Sequence, residues 1–322
     1  MEIPFDLFKI VASFLVKPKM KLLDWIPINK LDWSWLSVNP NAIQLLEKNI
    51  DNINWFMLSG NPGAIHMLEN ENIDIHTKYI SMTNLSGNTG ANSLIKKFIK
   101  KHGNKAKEKI DWEILSTNPN MIDILEENID MIDWTTISQN PGAIHLLEQN
   151  IDMIDWYFLG FNPNASIVNA LIEQNMDKII FDSLAENPNA IHLLEQFLQD
   201  MKKSPDMKKT PDLSLFWNKL SKNPRALNLL EQNKDKINWE QLSKNPNTSI
   251  VNALLEQNKD KINWEQLSKN PNALYLLEQN KDKIDWKNLS SNPSIFEINK
   301  TQYKIAIIEK ANSHFMEIDI LL

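Results

Sequence analysis

Three histidines, His66, His145 and His192, each stand five residues after the Asn of an Asn-Pro step. Three residues beyond that histidine position a glutamate recurs, as Glu47, Glu69, Glu126, Glu148, Glu195, Glu231 and Glu278. This spacing puts both types on the polar face of one helix. Titration near neutral pH and general acid–base chemistry would have to come from these side chains. A paired-carboxylate catalyst needs two acids converging in a cleft with separated pKa values, and a row along a helix surface does not provide that. No phosphate-cradling glycine loop, zincin helix or serine nucleophile elbow is present. The chain has no cysteine, which excludes thiolate metal ligands and disulfides. No catalytic, cofactor-binding or metal-ligating residue is expected, and the chain reads as non-enzymatic.

The element that carries these side chains is a repeat. Asn-Pro steps fall at Asn39, Asn61, Asn118, Asn140, Asn162, Asn187, Asn223, Asn245, Asn270 and Asn292, and Asn88 precedes Thr89 in an eleventh, degenerate copy. The commonest spacing is 22 residues. Such a period is the mark of a stacked array in which each unit buries its apolar face against its neighbours. The expected fold is all-α: an α-solenoid of about eleven 22-residue helix-turn-helix repeats with N- and C-terminal capping helices. Residues 1–30 form the N-terminal segment, 31–300 the array, irregular at 76–109 and 197–213, and 301–322 a C-terminal cap. Stacking at roughly 8–10 Å per helix pair makes eleven units an arc of roughly 100 Å.

Within a unit, as in INWEQLSKNPNALYLLEQN from Ile262 to Asn280, Trp stands six residues before the Asn and follows an Asp or Asn. That polar residue suits an N-cap. Ile262 and Leu267 have hydrophobic-staple spacing, and Gln266 completes a capping-box pattern. Asn270 caps the second helix, with Pro271 at its first position. Asn280 ends that helix, in the left-handed conformation glycine usually supplies. Two residues before each Asn stands Ser, replaced by Gly160 and Ala185 in two copies. Their shared small size predicts a tight helix crossing. Trp264 is expected in the core.

The composition, 42% apolar and 23% charged, suits a soluble folded protein. No stretch approaches the length of a transmembrane helix, and the start, MEIPFDLFKIVASFLV, lacks a basic n-region. The absence of cysteine fits a reducing compartment, so a cytoplasmic location is expected. The net charge of −7 is unevenly spread: residues 111–200 carry 1 basic and 16 acidic side chains, a strongly acidic block between weakly basic ends. A protein partner with a basic surface facing 111–200 is expected. Two lysine-rich stretches, 96–109 and 202–209, could contact phosphates weakly. A nucleic-acid reader of the helical-repeat kind is the alternative, but it needs a basic track, and the acidic middle argues against one.

Contact residues are sought where the units vary while the frame does not, at positions one, four and five before the Asn. Trp35, Phe56, Met57, Tyr157, Phe158 and Phe161 occupy such positions where regular copies have Glu, Gln or Lys. They are candidate partner-binding anchors.

The unit W-x-x-L-S-x-N-P-N-A-I-x-L-L-E resembles the tandem repeats of proteins encoded by giant DNA viruses, a family that brings no defined activity with it. The N-terminus is similar to an F-box at Ile3, Pro4, Leu7, Val11, Phe14 and Leu15, with Leu22 and Leu23 in the place of its second helix. That resemblance implies docking on the adaptor of a cullin ubiquitin ligase, with the array presenting a target. An amphipathic helix capping the first unit would use the same residues.

Overall fold

The structure, a computed structural model, describes residues 5–69, 79–164, 171–203, 213–247 and 254–319. Ile3 and Pro4, residues 165–170 of unit six, 248–253 of unit nine, and 204–212 of the lysine-containing loop lie outside the described residues. The described residues are mostly helical, with two three-residue strands.

Unit ten shows how the repeat folds. The side chain of Asn263 accepts from the Gln266 N–H at 3.0 Å and starts the α-helix Trp264–Lys269. Asn270 then accepts from the Asn272 N–H at 3.0 Å and caps a 3-10 turn, Pro271–Ala273. That turn leads directly into the α-helix Leu274–Gln279. A third helical segment, the 3-10 turn Lys281–Lys283, precedes the next unit and has no counterpart in the two-helix sequence reading. Its equivalents are Ile50–Asn52, Ile129–Met131, Ile151–Met153 and Lys234–Lys236.

Three local expectations are corrected. Asn280 is not left-handed but lies at φ −130°, ψ 52°. Its side chain donates to the Leu276 carbonyl at 2.7 Å, so the amide rather than the backbone satisfies the helix end. Among the described residues only Gly103 has positive φ. The capping box is not closed by Gln266, because the Asn263 N–H donates instead to Ser243 Oγ of the preceding unit at 3.1 Å. Finally, Trp264 is only partly buried. The unit's fully enclosed residues are the staple partner Leu267, Ser268 beside it and, in the second helix, Leu277.

Units are joined through polar groups that have no access to water. The Asn61 side-chain amide donates to the carbonyls of Ser37 and Asn39 in the unit before, at 2.8 and 2.9 Å, while its oxygen accepts from Gly63. Asn88, Asn162, Asn187, Asn223, Asn245, Asn270 and Asn292 repeat the double donation. A buried amide left unpaired would be costly, and full satisfaction fixes each unit's register on the last.

The small residue two before the Asn has a polar role as well as a steric one. Each Ser hydroxyl receives the N–H of the next unit's cap residue, as when Asn54 donates to Ser37 Oγ at 3.0 Å and Asp133 to Ser116 Oγ at 3.1 Å. Where Ser is replaced, the next unit also lacks the Asp or Asn cap: Gly160 is followed by Ile180, and Ala185 by Phe216.

The first unit is bonded to the last in the same way. Asn39 donates to the carbonyls of Ser290 and Asn292 at 3.0 and 2.9 Å. The Asp32 N–H donates to Ser290 Oγ at 2.8 Å. Lys30 lies over the Trp286 ring at 4.7 Å, as Lys261 lies over Trp239 and Lys178 over Trp156. The array therefore has no free ends; it closes on itself, and an open arc is excluded by these contacts.

The closure is clasped by the termini. Strand Met20–Leu22 pairs antiparallel with Phe296–Ile298, Leu22 opposite Phe296, and Lys21 bonds Glu297 at 3.0 Å. Helix Phe5–Leu15 packs along helix Lys300–Asp319. The two terminal helices therefore pair with each other, where the sequence suggested one cap at each end of a stack. Leu22, placed by the F-box resemblance in a second helix, lies instead in the strand.

Candidate interaction surfaces

The terminal helix pair is built on small residues. Ala12 and Ala311 are both buried, which allows close approach of the two helices, and the Tyr303 hydroxyl donates to the Ser13 carbonyl at 2.9 Å. Since Ala12 occupies the buried side, the apolar residues around it point outward. Phe14 is 85% exposed, and Leu7, Ile10, Val11 and Leu15 are each about half exposed, between 49% and 56%. Ile305 and Ile308 of the partner helix add to the same set, at 50% and 45%. The residues that a capping helix would bury against unit one are thus uncovered.

A second surface follows the first helices of the units. Positions one, four and five before the Asn share a helix face. On it, contacts skip a unit: Lys219 of unit eight reaches Tyr157 of unit six, with Nζ 2.7 Å from the hydroxyl and 4.2 Å from the centre of the Phe161 ring. Lys269 of unit ten lies 5.3 Å over the Trp35 ring of unit one, across unit eleven. Alternate units approach this closely on the inside of a curve, so this face lines the inner wall. A shallow depression of about 620 Å³ runs along it past Thr117, Gln139, Phe161 and Glu186 of four successive units.

The six candidate anchors do not form one site. Tyr157, Phe158 and Phe161 cluster edge to face, with centroids 5.3–6.4 Å apart, and Lys219 covers part of them. Trp35 stands apart, half-buried, under Lys269. Phe56 is exposed and Met57 half-buried on unit two. Position-specific lysines on other units, legible in the sequence as variation, are what close over the aromatics.

His66, His145 and His192 each bond the glutamate of the preceding unit, Glu47, Glu126 and Glu173, at 2.8, 2.6 and 3.1 Å on an exposed face. On that face Lys96 bonds Asp123 at 2.6 Å. Partial burial pushes the Asp123 carboxyl up, but bonds from Lys96, Asn92 and the Ile124 N–H outweigh it and hold the group below its ordinary value. Within the acidic block Asp111, Asp133 and Asp155 are helix caps, engaged by backbone N–H groups. Asp130, Glu148 and Asp152 face solvent. Among the described residues no His, Asp and Glu cluster could hold a metal ion, and no helix is long and apolar enough to cross a membrane. Comparison with protein-family models, curated proteins and solved structures finds no match for this chain.

Proposed function

We propose that the chain is a closed α-solenoid acting as a non-enzymatic protein-interaction scaffold, docked to its partner through the terminal helix pair. The observation that carries this reading is the uncovered apolar face of Leu7, Ile10, Val11, Phe14 and Leu15. Contiguous exposed apolar groups on a folded chain mark interaction surfaces, and Leu7, Val11 and Phe14 have the i, i+4, i+7 spacing of helix-mediated recognition. The F-box resemblance of Leu7, Val11, Phe14 and Leu15 suggests the occupant: the adaptor of a cullin ubiquitin ligase, in the cytoplasm of a host cell. The inner wall and the acidic block at 111–200 would then present a target with a basic surface. The nucleic-acid alternative is disfavoured by the acidic block and because four of the five inner-wall lysines, Lys219, Lys222, Lys244 and Lys269, are engaged by Tyr157, Glu186, Glu240 and the Trp35 ring, with Lys287 alone exposed.

The test is reconstitution with purified adaptor, using the full chain and a Val11→Asp/Phe14→Asp variant. Both positions are exposed, so the variant is expected to melt like the parent. The parent should form a complex and the variant should not. Failure of the parent to bind removes the adaptor, and binding by both removes the apolar face as the docking surface.

A further inference from the structure

The clasp encloses a cleft of about 410 Å³ that none of the surfaces above includes. Three separate segments build it: the N-terminal strand, the second helix of unit one (Ile43–Glu47), and the C-terminal strand with the start of the final helix. Its volume is within the range of small-molecule sites. The floor is apolar, formed by Met20, Leu22, Leu45 and Phe296. The rim is basic, with Lys19, Lys21 and Lys48.

The charges around the rim are not equivalent. Lys21 is held by Glu297 at 3.0 Å and Asp24 at 3.3 Å. The one acidic lining residue, Glu47, bonds His66 at 2.8 Å. Lys19 and Lys48 are exposed, and neither ammonium pairs with another described residue. Two uncommitted cations therefore stand over an apolar floor, and the amides of Asn299 and Gln302 stand at the same opening.

We infer that this cleft binds an amphipathic anion, an aliphatic chain carrying one carboxylate, with the chain on the Leu22, Leu45 and Phe296 floor and the head between Lys19 and Lys48. Neither half of such a ligand is recognised alone: a short carboxylate lacks the buried chain, and an alcohol of equal length lacks the charge. The three segments meet only when unit one is closed on unit eleven. A ligand spanning them binds the closed form alone and stabilises it by RT ln(1 + L/Kd), rising with the free ligand concentration L.

Decanoate is the probe, with 1-decanol and acetate as controls, titrated by calorimetry into the full chain and followed by melting curves. Decanoate should bind saturably and raise the melting temperature, and acetate should do neither. A Lys19→Gln/Lys48→Gln variant, altered only at exposed unpaired groups, should keep the parent melting curve and lose decanoate affinity by about tenfold or more. Its response to decanol should be unchanged. Non-saturable binding, a lowered melting temperature, decanol equal to decanoate in the parent, or full affinity in the double variant would each overturn the assignment.

Discussion

Asn39 donates its side-chain amide to the carbonyl of Asn292 at 2.9 Å, across 253 positions of sequence. The same bond joins Asn61 to Asn39 across 22 positions. One relationship thus serves both for extending the array and for closing it. The bond between first and last units is buried as deeply as those between neighbours.

Replacing Asn39 is expected to open this joint. Asn39→Ala removes the side-chain donor from the buried Ser290 carbonyl, leaves the Asn292 carbonyl with only the Ile295 N–H, and strips the acceptor from the Asn41 N–H. It should cost about 2–3 kcal/mol in denaturant unfolding. Asn39→Asp should cost more at neutral pH despite its matched shape. A carboxylate has no hydrogen to donate and would set negative charge against two carbonyl oxygens. Acidification, which restores one O–H donor, should narrow the gap between the two variants. Equal melting of both variants and the parent would show that the closing bond contributes nothing.

Gly160→Ser installs the residue nine other units carry, yet it is expected to destabilise. A Cβ there would sit 2.1 Å from Ser183 Oγ, 2.9 Å from Ser183 Cβ and 3.1 Å from the Leu184 nitrogen. Overpacking of this kind costs about 1–3 kcal/mol. Pairing it with Ser183→Gly should recover part of the loss. A stabilised single variant would contradict the packing described at this joint.

How much of this was legible in the sequence depended on the range of each interaction. The caps at Asn263 and Asn270 were legible because donor and acceptor lie within three residues. The role of Ser243 was not, because its partner N–H at Asn263 lies 20 residues on and belongs to the next unit. Size alone explained Gly160 and Ala185, and only the missing caps at Ile180 and Phe216 hinted at the hydroxyl. Closure was hidden for a similar reason. Three-residue strands at Met20–Leu22 and Phe296–Ile298 leave no pattern of their own, and curvature is set by packing between units rather than by any one unit. The periodicity of Leu7, Val11 and Phe14 identified a common face, but Ala12 against the final helix decides that this face points outward.

The tryptophans separate by burial. Trp217, 8% exposed and edge-on to the fully buried Phe216, should cost about 3–5 kcal/mol when changed to Ala. Trp264, partly exposed, should cost less, about 2 kcal/mol, in keeping with a smaller area withdrawn from water. Melting curves of the two variants provide the check; a larger loss at Trp264 would reverse the burial order.

The most direct test of closure is a spin-label distance measurement. The chain has no cysteine, so introduced thiols are its only labelling sites. Ser34, Glu265 and Lys287 hold equivalent positions in units one, ten and eleven, so Ser34→Cys/Lys287→Cys can be compared with Glu265→Cys/Lys287→Cys. Closure requires the first pair to give the same short distance as the second, since both would join adjacent units. A separation for the first pair approaching the roughly 100 Å of an open eleven-unit stack, with no short component, would contradict it.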